Sequence, residues 1–218
     1  PLAIGAKVWS HTEWFESIYE HLNGIDMAAK LAAHQIPWTD PSVKNALKKY
    51  AELIKAGCCG SADSMLAMDW DNASDAVLKA GTHGWQMIGM WVNDRAQTTD
   101  GLKQGVDYSI TQFPAMGAGH DDVTSVDTKE FSEFASAANA PAADAFLTWI
   151  TTADAANIVA QHGLASPSSK VDSSLYGPVI KYSSEAVNKA KPQFVLGDLL
   201  PGDLVDEIGH AGLGLVFR

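Results

Sequence analysis

Residues 69–91, DWDNASDAVLKAGTHGWQMIGMW, contain a helix signal and a strand signal separated by a short turn. The first half predicts a short helix over residues 72–80, which Gly81 ends. The run WQMIG at 85–89 predicts a short buried strand that leads into a loop at Gly89. A helix followed so closely by a buried strand favours an α/β arrangement.

Upstream of this stretch, the sequence predicts two amphipathic helices. The first is capped by Thr12 and ends at Gly24, and the second opens at Asp40-Pro41 and closes at Gly57. Proline is favoured at the first helical position because its missing N–H has no partner there. Apolar side chains recur along one face of each helix: Trp14, Phe15, Ile18, Tyr19 and Leu22 in the first, and Val43, Leu47, Tyr50 and Ile54 in the second.

Downstream, strand signals give way to helix signals. Residues 108–113 predict a strand that stops at Pro114, residues 115–126 a loop, and residues 129–135 a third strand. Helices are predicted from Pro141, from Thr152 to Gly163, and over residues 178–190 and 202–210. The predicted fold class is therefore α/β, with a short mixed sheet flanked by helices.

Composition excludes several functional classes. The chain of 218 residues carries a net charge of −11, which argues against nucleic acid as a partner and against adhesion to anionic membranes. No uninterrupted apolar run approaches the roughly 20 residues of a membrane span, so no direct membrane insertion is expected. The first residue is Pro1 rather than methionine, which indicates either a removed leader or a fragment.

The sequence contains no recognisable catalytic or cofactor-binding motif. It lacks a Gly-x-Ser-x-Gly elbow, a phosphate-binding loop and a His-Glu-x-x-His helix. His120-Asp121-Asp122 is typical of a solvated loop rather than a metal site, and Glu130 and Glu133 on a strand would face opposite sides. We expect no catalytic residues, no metal and no cofactor, and we expect the adjacent Cys58 and Cys59 to be two separate thiols.

The unusual feature of the composition is its seven tryptophans. Trp14, Trp85 and Trp149 lie in apolar helical or strand segments and are predicted to be core residues. Three others, Trp9, Trp70 and Trp91, lie at predicted element boundaries beside polar residues. An indole satisfies the C–H face of a sugar ring while polar neighbours satisfy its hydroxyl edge, so this pattern is typical of a sugar site. The alternative is that these tryptophans cap the core.

Five groups of residues occur in an order and spacing that resemble one protein family. They are KVWSHTEWFE at 7–16 with LNG at 22–24; DWDNA at 69–73 with Val77, Gly81 and MIGMW at 87–91; GVDY at 105–108 with QFP at 112–114; SVD at 125–127; and the segment 142–167, AADAFLTWITTADAANIVAQHGLASP. Together they resemble the extracellular solute-binding proteins of ABC sugar importers (family 1), in the glucose/mannose-type branch. The resemblance covers nearly the whole chain.

This resemblance implies a type II periplasmic-binding-protein fold, of which residues 1–218 form the C-terminal, second lobe, with the first lobe missing. The implied ligand is a mono- or small oligosaccharide, an aldose such as glucose or mannose, delivered to the membrane permease of an ABC transporter. The implied location is periplasmic or extracellular. By position, the implied ligand-binding residues are Trp9, His11, Trp70, Trp91, Asp127 and His162.

Two departures from the family pattern bear on the identity of the sugar. Met90 stands where the family has an aspartate, and Lys129 stands where an apolar residue is common. Two other functional classes remain open from the residues alone. One is a glycoside-acting enzyme domain that uses two carboxylates, and the other is a helical protein-interaction domain. A tryptophan fluorescence titration with a panel of sugars, combined with product analysis, distinguishes the three.

Overall fold

The computed structural model describes residues 2–7, 9–127 and 129–200. The helices are α1 (Ser10–Asn23), α2 (Ile25–Ala32), α3 (Pro41–Lys55), α4 (Ala62–Ala67), α5 (Trp70–Leu78), α6 (Val92–Asp94), α7 (Ala140–Trp149), α8 (Ala153–Gln161) and α9 (Pro178–Lys189). The strands are β1 (Leu2–Ala3), β2 (Trp85–Gln86), β3 (Val123–Val126) and β4 (Lys191–Phe194). A π-helical turn covers Arg95–Thr99, and 3-10 turns cover Ser173–Leu175 and Leu196–Leu199. Among the described helices, none is long and apolar enough to cross a membrane.

The chain divides into two compact units that alternate along the sequence. Unit 1 comprises Pro1–Ile88, Gln112–Asp127 and Lys189–Arg218, and unit 2 comprises Gly89–Thr111 and Thr128–Asn188. Unit 1 therefore contains α1–α5 and all four strands given above, whereas unit 2 contains α6–α9. The assignment of the whole chain to one second lobe stays a prediction.

The strands of unit 1 pair in two short sheets. In the described residues, β1 pairs with β2 and β3 pairs with β4, and both pairings are parallel. Parallel neighbours need long connections, and helices lie between the two strands of each pair. The sequence predicted one mixed sheet, but its expected strands at 108–113 and 129–135 are irregular segments in the structure. Conversely, β3 lies inside the segment predicted as a loop.

The core of unit 1 lies between α1 and α3. The ring of Trp14 stacks on that of Tyr50 with centroids 6.3 Å apart, and it meets the edge of Phe113 at 6.0 Å. Each helix buries the apolar face that the sequence predicted, because its apolar residues recur every three or four positions. The buried cluster consists of Ile4, Ala6, Trp14, Phe15, Ile18, Tyr19, Ala28, Leu31, Val43, Ala46, Tyr50, Cys59, Met65 and Leu196.

Two predicted helix starts are confirmed and one is wrong: Thr12, predicted to cap the first helix, lies in the first turn of α1, whose N-cap residue is Trp9, because the Thr12 hydroxyl donates to the carbonyl of Trp9 instead of accepting from a later backbone N–H. The side chain of Asp40 accepts a hydrogen bond from the backbone N–H of Ser42 at 2.8 Å, with Pro41 as the first helical residue. Gly24 has a φ of 79°, a left-handed value that a glycine tolerates, and it separates α1 from α2. In unit 2, the side chain of Thr152 accepts from the backbone N–H of Ala155 at the start of α8. The predicted helix at 202–210 lies outside the described residues.

Unit 2 buries small side chains of α8 and two residues of α9. Its buried apolar residues are Ala96, Ala155, Ala156, Ala160, Val179 and Ile180. Larger apolar side chains remain exposed on α7 and on the segment before it, including Phe131, Phe134, Phe146 and Trp149. The prediction that Trp149 is a core residue is therefore wrong, since its side chain is 42% exposed.

Two further expectations need correction. Trp85 was predicted to lie in the core but is 62% exposed, because β2 is two residues long and its only described partner strand is β1. Cys58 and Cys59 were expected to be separate thiols, whereas the structure joins them as a disulfide between neighbouring residues. Both corrections concern residues outside the predicted ligand-binding set.

Candidate functional site

The first two predicted site residues lie where α1 begins. Trp9 is the N-cap residue of α1 and is half-buried, whereas His11, in the first turn, is buried. The hydroxyl of Ser10 donates to the carbonyl of Gly5, and the hydroxyl of Thr12 donates to the carbonyl of Trp9 at 2.6 Å. These bonds fix the turn that leads from β1 into α1, so the backbone of Trp9 is held in place from both sides.

Trp70 lies at the start of α5, beside this turn. Asp69 caps α5 by accepting from the backbone N–H of Asn72 at 2.9 Å. The backbone N–H of Lys7 donates to the carbonyl of Met68 at 3.0 Å, so the chain leading to Trp9 runs alongside the chain leading to Trp70. A Cβ on Gly5 would lie 2.7 Å from the carbonyl oxygen of Asp69, so only glycine permits this approach.

Asp127 lies on a different part of unit 1. It follows β3 directly and is exposed to solvent. The strand is anchored by its parallel pairing with β4 and by Ser125, whose hydroxyl donates to Glu20 Oε2 at 2.9 Å. Asp122 just before β3 forms an ion pair of 2.8 Å with Lys191 at the start of β4. Asp127 thus projects from a strand end that is fixed on two sides.

In unit 2, Trp91 lies at the start of α6 and is half-buried. Its indole packs directly over Gly89, since a Cβ built on Gly89 would overlap the ring nitrogen and lie 2.7 Å from Cδ1. Because Gly89 has no side chain, the Trp91 indole can pack against its backbone. From the sequence, Gly89 was predicted to end a strand, but its contact with the face of the Trp91 indole was not predicted.

Asn93 is a buried polar residue of unit 2 that was not predicted from the sequence and that positions the segment after Trp91. Its side chain is 1% exposed. Nδ2 donates to the carbonyl of Gly163 at 2.6 Å, and Oδ1 accepts from the hydroxyl of Tyr108. These bonds tie α6, which follows Trp91, to the end of α8, where His162 stands. His162 is exposed, with Nδ1 3.8 Å from Asp94 Oδ1.

The six predicted residues thus fall into three groups. Trp9, His11 and Trp70 lie on adjoining segments of unit 1, Asp127 lies at the end of β3, and Trp91 and His162 lie on segments of unit 2 joined through Asn93. Each group stands where a short loop meets a helix or a strand. That all six contribute to one sugar site stays a prediction.

The alternative function, a glycoside-acting enzyme domain, requires a pair of carboxyl groups placed to act together. Glu130 and Glu133 lie in an irregular segment, not on a strand, so the argument from opposite strand faces does not apply to them. Partial desolvation and the neighbouring Asp144 carboxyl raise the pKa of Glu133. Asp144 is exposed, whereas the acid of a glycosidase pair usually stands in an apolar pocket. Among the described residues, no three His, Cys, Asp or Glu side chains are grouped to hold a metal ion.

Comparison with known proteins finds similarity both in sequence and in structure. The chain is 28% identical over 207 residues to an uncharacterized ABC transporter extracellular-binding protein of Pyrococcus horikoshii, covering 92% of this chain and 44% of that protein. Its structure superposes on a chitin oligosaccharide binding protein with a TM-score of 0.82 and 18% identity, covering 99% of this chain and 55% of the other. The chain shares that protein's fold. No protein-family model matches the sequence.

The fold shared with the chitin oligosaccharide binding protein confirms the predicted α/β fold class. Both similar proteins are described as binding proteins rather than enzymes. The chain spans about half the length of the proteins it matches, 44% of one and 55% of the other. What the longer proteins do as wholes therefore bears on this chain only by proposal.

The packing of Trp91 over Gly89 gives a first testable prediction. Gly89→Ala is expected to displace the indole, because the added methyl group would overlap the ring. The tryptophan emission spectrum and its quenching by acrylamide should change, and this change should vanish when Gly89→Ala is made together with Trp91→Phe. Gly197→Ala is the control, since nothing lies within 4 Å of its added Cβ. An unchanged spectrum in Gly89→Ala would contradict this packing.

Proposed function

We propose that this chain binds a sugar as part of an extracellular binding protein that delivers it to the permease of an ABC transporter. The carrying observation is the shared fold with a chitin oligosaccharide binding protein at a TM-score of 0.82. The similarity to an ABC transporter extracellular-binding protein supports the transport role and a periplasmic or extracellular location. Such a protein turns nothing over, and its signal comes from closure on the ligand.

The surroundings of the tryptophans support a sugar as the ligand. Trp70 and Trp91 are both half-buried at helix starts, with aspartates on either side of the first and Asp94 three residues after the second. A ring face placed beside carboxylates is suited to a pyranose, whose hydroxyls surround an apolar C–H face. Trp9, His11, Asp127 and His162 complete the proposed ligand-binding set.

The finer parts of the proposal are the ligand size and the division into lobes. We propose a mono- or small oligosaccharide, an aldose such as glucose or mannose, and we place this chain in the second lobe of a two-lobe protein. Coverage of about half of each similar protein supports the latter. One lobe leaves one sugar face in water, so the chain alone is expected to bind with roughly millimolar affinity or weaker.

Calorimetric titration tests the proposal. Glucose, mannose and short chitin oligosaccharides are titrated into the chain at millimolar concentrations, with product analysis in parallel. Saturable binding without turnover supports the proposal. Turnover would instead favour a glycoside-acting enzyme, and the absence of binding to every sugar, both by the chain and by the intact two-lobe protein, would favour a protein-interaction domain.

Asp127 provides the residue-level prediction. Asp127→Asn keeps the shape of the side chain but removes its charge, and a charged acceptor makes a hydrogen bond worth about 1.5–3 kcal/mol against about 1 for a neutral one. Affinity for the sugar is therefore expected to fall about tenfold, as measured by calorimetry on the intact two-lobe protein. Asp63→Asn, an exposed aspartate on α4, is the matched control and should leave affinity unchanged. Equal affinities in the two variants would remove Asp127 from the site.

A further inference from the structure

Two glutamates on α1 are buried inside unit 1. Glu16 and Glu20 are one helical turn apart, so they lie on the same face of α1, and their exposed fractions are 3% and 1%. A glutamate rarely lies so deep unless a cation is paired with it. The sequence shows them only as acids among the apolar residues of an amphipathic helix.

The two carboxyl groups contact two separate segments of chain. Glu20 Oε2 accepts from the hydroxyl of Ser125 in β3 at 2.9 Å. Glu16 accepts hydrogen bonds from the backbone at Leu196 and Gly197, in the 3-10 turn after β4. The second oxygen of each group, Oε1, is buried with no hydrogen-bond partner in the described residues. In the described residues, each carboxyl group is therefore hydrogen-bonded but has one buried oxygen without a hydrogen-bond partner.

The charged groups that act on Glu16 are themselves acidic, namely Glu20 and Glu13. The described part of β3 carries no titratable side chain, and Lys191 of β4 is exposed and paired with Asp122. On α2 and α3, which also pack against α1, every charged side chain is exposed, from Asp26 and Lys30 to the lysines and Glu52 of α3. Tyr50 is the buried titratable group on α3.

We propose that Glu16 and Glu20 form a pH-sensitive latch, which holds the turn Leu196–Leu199 and β3 against α1 while the carboxyl groups are protonated and loosens when both are charged. α1 also buries His11 and His21, and among the described residues no lysine or arginine is paired with either glutamate. Two buried charges of the same sign, one turn apart, repel each other and lose their hydration. This repulsion and loss of hydration are relieved at the lowest free-energy cost if the segment after β4 moves away and water reaches the two carboxylates. This inference does not depend on sugar binding.

The direction of the pH effect follows from the burial. Burial, with the nearby Glu20 carboxylate, raises the pKa of Glu16 from 4.5 to about 8, and burial raises the pKa of Glu20 to about 7. Since both values are raised, the folded state holds protons that the unfolded chain has already released. Stability from these groups is full below about pH 4.5 and is lost as the pH rises through about 7 and 8.

Thermal unfolding between pH 5.5 and pH 9 tests the latch. The midpoint of the unchanged chain is expected to fall by about 5 °C or more over this range. Glu16→Gln should remove most of that fall, because the amide keeps the shape without the charge. Glu52→Gln is the matched control, since Glu52 is exposed and bonded to Lys49, and it should keep the full fall. A midpoint in the unchanged chain that is level or rises towards pH 9 would overturn the proposal.

Hydrogen exchange locates the effect. The protection factor of peptides covering residues 191–200, corrected for the intrinsic pH dependence of exchange, should fall about tenfold or more between pH 6 and pH 9, while peptides of α3 keep theirs. Equal loss in both regions would show general unfolding and overturn the latch. If Glu16→Gln does not fold, Ser125→Ala replaces it. Loss of this hydroxyl removes the bond that lowers the pKa of Glu20, so the loss of stability should move to higher pH. An unmoved profile would count against the proposal.

Discussion

Trp14→Ala is expected to lower the free energy of unfolding by about 3–5 kcal/mol, as the truncation of large buried aromatics does. The side chain is 7% exposed and is enclosed by Tyr50 and Phe113 on neighbouring segments. Its removal leaves a cavity between α1 and α3, the two helices around which the core of unit 1 is built. Denaturant unfolding followed by far-ultraviolet circular dichroism measures the loss.

Trp149→Ala is the matched comparison. This indole is 42% exposed, and its described ring contact is with Phe146, which is also exposed. Less area leaves water on folding, so the cost should be clearly smaller than for Trp14. Equal destabilisation by the two substitutions would mean that α7 buries Trp149 in solution to the same extent as α1 buries Trp14.

Asn93→Ala is expected to cost about 2–4 kcal/mol, because it leaves a buried carbonyl and a half-buried hydroxyl without partners. The carbonyl of Gly163 loses its donor, and the hydroxyl of Tyr108 loses its acceptor. The loss should appear in denaturant unfolding as a lower midpoint of unit 2. The tryptophan emission of Trp91 should change with it, since α6 is no longer tied to the end of α8.

Asn157→Ala is the control for Asn93. Asn157 also uses its side-chain amide, accepting from the backbone N–H of Asp172 at 2.8 Å, but that bond is exposed to water. Water replaces the lost partner, so the expected cost is about 1 kcal/mol or less. Similar costs at the two positions would show that burial of Asn93 adds nothing to unit 2.

The helices could be predicted from the sequence because their signals are local. Asp40-Pro41 and Thr152 cap the helices that they were expected to cap, and Gly24 ends α1. Strands were less predictable, since a strand exists only where a partner pairs with it. Residues 108–113 alternate as a strand should, yet only Tyr108 forms a bridge there, with Gln104. In contrast, Val123–Val126 became a strand because β4 pairs with it from more than 60 residues away.

The burial of a helix face was predictable only where another helix covers the whole of that face. The apolar stripe of α1 is buried against α3, whereas the similar stripe of α7 contains no buried residue. The same limit hid Asn93, whose amide is buried by a contact 70 residues along the chain. A polar residue two positions after Trp91 could have been found as a neighbour of the indole, but nothing in its surroundings predicted that it would be buried.

The alternation of the two units has a consequence for the growing polypeptide. Unit 1 is built from three separate stretches of sequence, and β4, the last of its described strands, begins only at Lys191. Leu196, a member of the unit 1 core, is later still. At 5–20 residues per second, the first 88 residues wait on the order of 5–20 s after synthesis before this last stretch emerges. Throughout that interval the residues that will cover Glu16 do not yet exist, so Glu16 faces water and is charged at neutral pH until the last stretch is made.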